Sequence, residues 1–191
     1  MNKYSLLIDV CTNDCVFVVF NNHFQDKLIY HTNKNLVDVM NSLLDELLKK
    51  NNIKYSNIDK IYVINGPGSF TGVRAGLNMA KTIISVFNHI QLFTIDSLLA
   101  LNIGNGISIV DAKGDKSYFQ AAKNKQILQP TIMIHNNQLE KYINKYKDLS
   151  IVNSLNINIE NKINQLLNNL DLFKYQEDWL NVEPNYVKEA V

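Results

Sequence analysis

The segment NGPGSFTGVRAG, residues 65–76, holds four of the chain's seven glycines and its only arginine, Arg74. It follows the apolar run KIYVI and opens the helical pattern LNMAKTIISVF. A strand, a glycine turn and a helix together form an arrangement that holds anions, because the first amides of a helix lack intrahelical partners and its dipole is positive there. Three known chemistries each require a spacing of their own. A phosphate-binding GxxxxGK[ST] loop needs a lysine and a hydroxyl after its last glycine, and Val73 and Arg74 follow Gly72. A dinucleotide fingerprint needs GxGxxG, whereas Gly66, Gly68 and Gly72 give GxGxxxG. A nucleophile elbow needs GxSxG, and no glycine stands two residues after Ser69. What remains is local geometry. Gly66 and Gly68 are expected to supply positive φ angles for a tight turn. Ser69 or Thr71 is expected to cap the helix, and Arg74 brings a rigid fork of donors. Two readings stay open, a capped strand-to-helix turn and an anion site.

The other reactive side chains suggest less. His23, His31, His89 and His135 form no HExxH or HxxxH pair, so no helix-borne zinc motif is present. Cys11 and Cys15 are spaced CxxxC with no second pair; they read as two free thiols in a reducing cytosol. A formal charge of +1 implies no large basic surface for nucleic acid. The short apolar stretch before Asp9 is too brief for a signal peptide or a membrane span, so a cytoplasmic protein is expected.

These residues need elements to position them. At 191 residues and 46% hydrophobic content the chain can build one substantial domain or two small ones. Residues 4–10, 15–20 and 24–31 read as a strand meander, with β-branched and aromatic content to support it. Apolar residues at 36, 37, 39, 40, 43, 44, 47 and 48 give an amphipathic helix. A strand at 60–65, a helix at about 70–88 and a strand at 91–95 follow. The second half repeats the order, with strands at 106–112, 116–123 and 127–135, a helix from NQLEKYINKY, a strand in LSIVN and a helix in NIENKINQLLNNLDLF. This β-β-β-α-β-α order resembles the ribonuclease H-like unit of the actin, sugar-kinase and Hsp70 group. In that group the first hairpin carries an acidic residue for metal and hydroxyls for phosphate. Asp9 and Thr12 stand at the matching places, with Asp111 in the second half, although Val10 replaces the usual glycine.

The second helix carries two adjacent apolar seams, Val73–Leu77–Ala80–Ile84–Phe87 and Gly76–Met79–Ile83–Val86. A surface helix needs only one. The second seam is buried either within the chain or against another subunit. On periodicity, Val37, Met40, Leu44, Leu77, Ala80 and Ile84 are the expected interface residues.

The segments INGPGSFTGVRAGLNMAKTI, LLIDVCTNDCVFVVF, IVDAKGDKSYF and EPNYVKEA resemble the motifs of the TsaB (YeaZ) family of tRNA threonylcarbamoyladenosine biosynthesis proteins. Val10 and Cys11 stand where that family has Thr and Ser, and Lys113 stands where it has Arg. The resemblance implies a two-lobed α/β actin-like (ASKHA, ribonuclease H-like) fold with a shortened second lobe. The first lobe, 1–96, would bear the partner-binding helices. The second would span 97–191, its C-terminal tail packing back on the first. The implied role is a non-catalytic scaffold that binds and activates the transferase TsaD, with the ATPase TsaE, in modifying ANN-decoding tRNA. The implied protein has no catalytic residue, metal or cofactor of its own. Its complex would use ATP and Mg2+ through the partners and meet tRNA as a whole, and both a monomer and a homodimer stay open for the chain alone. The turn residues Gly66, Gly68, Ser69, Thr71 and Arg74 would keep the shape of an ancestral phosphate loop, with Asp9, Thr12 and Asp111 as a vestigial nucleotide cleft. The alternative is an active ATPase or kinase using Asp9 and Asp111.

Overall fold

The computed structural model describes residues 3–32, 35–153 and 158–187. The chain divides into two compact units, Met1–Ile95 with Phe173–Pro184, and Asp96–Leu172 with Asn185–Val191. Among the described residues no helix is long and apolar enough to cross a membrane.

The first unit opens with the meander β1 (Tyr4–Asp9), β2 (Asp14–Phe20) and β3 (Gln25–His31). The helix α1 (Leu36–Lys50), the strand β4 (Ile58–Ile64), the helix α2 (Phe70–Val86) and the strand β5 (Gln91–Ile95) follow. β1 pairs antiparallel with β2 and parallel with β4, and β4 pairs parallel with β5. Strands joined through helices can run parallel, whereas hairpin partners cannot. The central strands β1 and β4 end in unbroken runs of buried residues, as expected for strands covered on both faces. On one face Leu6, Ile8, Phe17 and Val19 meet Leu44 and Leu47 of α1 and Leu77 and Ile84 of α2. Each fully buried side chain of this size contributes about 1.5–3 kcal/mol.

The helix ends have local causes. Lys49 and Lys50 sit in the last turn of α1, where cations suit the dipole. The Asn51 amide donates to the Leu48 carbonyl and the Asn52 amide to the Lys49 carbonyl, and Asn52 turns left-handed at φ 54°.

The second unit holds α3 (Ser97–Asn102), β6 (Gly106–Asp111), β7 (Lys116–Lys123), β8 (Gln126–His135), α4 (Leu139–Lys145), β9 (Ile151–Asn153) and α5 (Ile159–Leu167). Its sheet order is β8-β7-β6-β9. Phe119, Ile107 and Ile134 form its core against Leu139, Tyr142 and Tyr146 of the α4 region. The α3 helix was not expected from the sequence. The expected helix at 158–173 stops at Leu167 and resumes as a short 3-10 turn at Leu170–Leu172. After this turn the chain adds β10 (Lys174–Gln176) to the first unit, antiparallel to β5. The closing motif EPNYVKEA falls partly outside the described residues, beyond residue 187.

Asp96 begins the second unit. Its Oδ1 accepts from the amides of Leu98 and Leu99 and caps α3, and its Oδ2 accepts from Asn185 Nδ2 at 2.6 Å. Burial raises its pKa above the usual carboxylate value, against the pull of those hydrogen bonds. A raised folded pKa means that the native state holds the proton more tightly than the unfolded one. Stability from this group is present below the unfolded carboxylate pKa and is lost as pH rises through the folded value. Asparagine caps a helix as well as aspartate does. Asp96→Asn is therefore expected to remove that part of the pH dependence between acidic and neutral pH while leaving the fold intact, as measured by urea unfolding at a series of pH values.

Candidate functional site: the glycine face of α2 and the groove beside α1

Ser69 caps α2. Its side chain accepts from the Gly72 amide, and its own amide donates to the Cys11 carbonyl at 2.8 Å. The preceding turn has Gly66 at φ 96° and a cis Gly66–Pro67 peptide. Gly68 does not take a positive φ, so its expected role in the turn is corrected. Its reason is proximity, because a Cβ on Gly68 would strike the Cys11 carbonyl oxygen. A Cβ on Gly72 would strike the Val10 carbonyl oxygen, and one on Gly76 would lie 2.5 Å from Val10 Cγ2. Gly68, Gly72 and Gly76 thus line one side of the α2 start, on which the exit of β1 rests. Gly72 and Gly76 stand four apart on α2 and share one face, with Gly68 just before the cap; that Val10 and Cys11 fill this face no local pattern records.

Cys11 Sγ donates to the Ile64 carbonyl at 3.1 Å, and the Cys11 amide donates to Asp9 Oδ1. Both thiols are buried and outside any disulfide, and burial with the nearby Asp9 charge pushes the Cys15 thiol up to about 12. Asp9 is buried at the end of β1, while Thr12 is exposed and accepts from the Asp14 amide. Thr12, Ser69 and Thr71 line a polar pocket of about 530 Å³ that also includes His31 and Val37. His23 lies before β3 rather than on it, and exposed His31 meets Asp14 at 2.9 Å. Asp111 belongs to the second unit, exposed at a hairpin where its Oδ1 accepts from the Lys113 amide. Arg74 is exposed with its guanidinium 3.8 Å from the ring centre of Phe70, itself 61% exposed. Among the described residues no group of three His, Cys, Asp or Glu could hold a metal ion.

The expected interface set is corrected by the packing. Leu44, Leu77, Ala80 and Ile84 are buried in the core of the first unit, so they face the sheet and not a partner; Met40 is buried in the same core but also lines the groove between the two helices. Only Val37 of the six is exposed, at 54%. Of the second α2 seam, Gly76, Met79 and Ile83 are buried and Val86 is 69% exposed. Between the two helices lies a groove of about 520 Å³, lined by Val37, Asn41, Asp45, Asn78, Thr82 and Val86, by Tyr55 and Phe87, and by the buried Met40, Met79 and Ile83. Val37 lines both this groove and the polar pocket.

A family model described as TsaD, tRNA N6-adenosine threonylcarbamoyltransferase, matches residues 30–167. The chain is 30% identical over its whole length, and over 97% of the relative, to the "Uncharacterized protein MG208 homolog" of Mycoplasma pneumoniae. It is 29% identical to the corresponding protein of Mycoplasma genitalium, again over its whole length and over 98% of the relative. Among solved structures it resembles "YeaZ from Pseudomonas aeruginosa", with TM-score 0.60, 16% identity, and 69% of this chain and 66% of that one covered. A second structure, described as an uncharacterized protein with similarity to peptidase YeaZ from Pseudomonas aeruginosa, matches with TM-score 0.74 and 13% identity over 97% of this chain and 99% of that one. The fold is therefore the α/β actin-like (ASKHA) fold.

The glycine face is testable by stability. In Gly72→Ala the new methyl meets a backbone carbonyl that cannot rotate away, at an expected cost of about 1–3 kcal/mol. Gly76→Ala meets only a side-chain methyl. Its smaller loss is expected to be recovered by adding Val10→Ala, whereas Gly72→Ala is not rescued by that change. Urea unfolding of the two single variants and the two double variants checks this.

Proposed function

The chain belongs to the family of TsaD, tRNA N6-adenosine threonylcarbamoyltransferase, and from that membership we propose that it serves as a non-catalytic partner of the TsaB (YeaZ) type. In this reading it binds and activates a catalytic TsaD subunit in the threonylcarbamoylation of tRNA in the cytoplasm. TsaE is the third protein, and ATP and Mg2+ are used by the partners. The observation that carries the reading is the groove along α1 and α2, with Val37 and Val86 exposed at its walls. Exposed apolar side chains around a groove are what a protein partner covers. A second observation supports a scaffold role. The glycine face that could admit a phosphate is filled by the Val10 and Cys11 carbonyl oxygens. These oxygens repel an anion.

The polar pocket lined by Thr12, Ser69 and Thr71 favours one rival, an ATPase or kinase; Asp9 and Asp111, the carboxylates expected of it, do not line that pocket. Magnesium-dependent ATP turnover by the isolated chain, abolished by Asp9→Asn, would favour the rival over the scaffold.

Size-exclusion chromatography with light scattering, on the chain alone and mixed with the TsaD of the same organism, tests the scaffold reading. A one-to-one complex is expected. Val37→Asp and Val86→Asp leave the core untouched and should each weaken the complex by about tenfold or more. Ala80→Glu is unsuited to this purpose, because Ala80 is fully buried and the variant would unfold the helix packing. No complex at micromolar concentration would overturn the reading.

A further inference from the structure

We infer that the α1–α2 groove selects its protein partner through Asp45, which seats a lysine or arginine that the partner places between apolar contacts; this rests on the docking reading given above. Asp45 is half-buried in the groove, one turn below Asn41 and within a wall that also contains Val86 and Phe87. Its Oδ1 accepts from the Tyr55 hydroxyl at 2.7 Å. Tyr55 is in turn stacked on Phe87, with ring centres 6.3 Å apart and planes 14° from parallel. The carboxylate is thus held in one orientation by a neutral donor. Burial, with Asp45 beside it, raises the Tyr55 pKa, so the hydroxyl stays a donor at any physiological pH.

What Asp45 lacks is a countercharge. Among the described residues no lysine, arginine or histidine makes an ion pair with it, and Oδ2 has no hydrogen-bond partner. Lys49 stands one turn further along α1 but makes no ion pair with Asp45. The other polar groups of the groove, Asn41, Asn78 and Thr82, are neutral. A partner that covered Val37 and Val86 without a cation would strip water from a single negative charge at a cost that apolar contact does not repay. A partner that brings a lysine or arginine to Oδ2 gains a charge-assisted hydrogen bond in a partly desolvated site. The groove therefore favours a docking segment with apolar residues flanking one basic residue, and disfavours an acidic or wholly apolar one.

The test is the dissociation constant of the chain and its transferase partner, measured at two salt concentrations for wild type, Asp45→Asn, Tyr55→Phe, Lys49→Gln and Val37→Asp. Asparagine can still accept from Tyr55, so Asp45→Asn removes the charge and spares the local fold. The inference predicts about tenfold weaker binding and a shallower salt dependence for Asp45→Asn. Tyr55→Phe should weaken binding less and keep the salt dependence, and Lys49→Gln should do neither. Asp45→Lys should abolish binding and be rescued by a basic-to-acidic change in the partner's docking segment. If Asp45→Asn keeps wild-type affinity and salt dependence while Val37→Asp loses binding, the inference is overturned and the docking reading stands. If wild type does not bind the partner, or binds only a second copy of itself through this groove, both fall.

Discussion

The seating of the β1 exit on the start of α2 governs the first unit. The Val10 and Cys11 carbonyls lie so close to Gly68 and Gly72 that a single methyl on either glycine would collide with them. The Ser69 amide closes the contact by donating to Cys11. The same turn reaches sideways, since Cys11 Sγ donates to Ile64 at the end of β4, and the Asn65 amide donates to Ile95 at the end of β5. The ends of three parallel strands and the first turn of a helix are thus fixed by a few short contacts. Backbone against backbone leaves no side chain to rotate away, so the arrangement tolerates little variation.

With one side of α2 committed to β1 and another to the sheet, the rest of the helix has a settled division. Leu77, Ala80 and Ile84 face the core with Leu44 and Met40 of α1. The remaining surface, Asn78, Thr82 and Val86, forms with α1 the wall of the groove.

Most of this architecture was legible in the sequence. The meander, the apolar spacing of α1, the capped start of α2 and the repeated element order all follow from local pattern, and Ser69, the cap, was one of two residues expected there. The failures have physical causes. SLLALN became α3 although six apolar-rich residues show no period, and its helix depends on the Asp96 cap and on packing against β6 and β7. KYQ became β10 only because β5 offers it an edge. Periodicity identified two apolar seams on α2 but could not say which faced the core, so of the expected interface residues Val37 and Met40 line the groove while Leu44, Leu77, Ala80 and Ile84 proved to be core residues. Asp45 and Tyr55 meet only through the return of the chain after α1, which no local pattern records.

The electrostatics of the two surfaces differ in a way that bears on function. At the start of α2 the Ser69 and Gly72 amides are already bonded, and two carbonyl dipoles lie against the glycines, so the positive end of the helix is partly answered from within the chain. In the groove the opposite holds, because Asp45 carries a full charge with one neutral donor and no cation. A half-buried carboxylate in that state is one that a basic group on a partner would satisfy. The glycine turn thus contributes most by positioning α2. The chemistry left open for recognition lies one helix face away, where an apolar rim surrounds a single oriented charge.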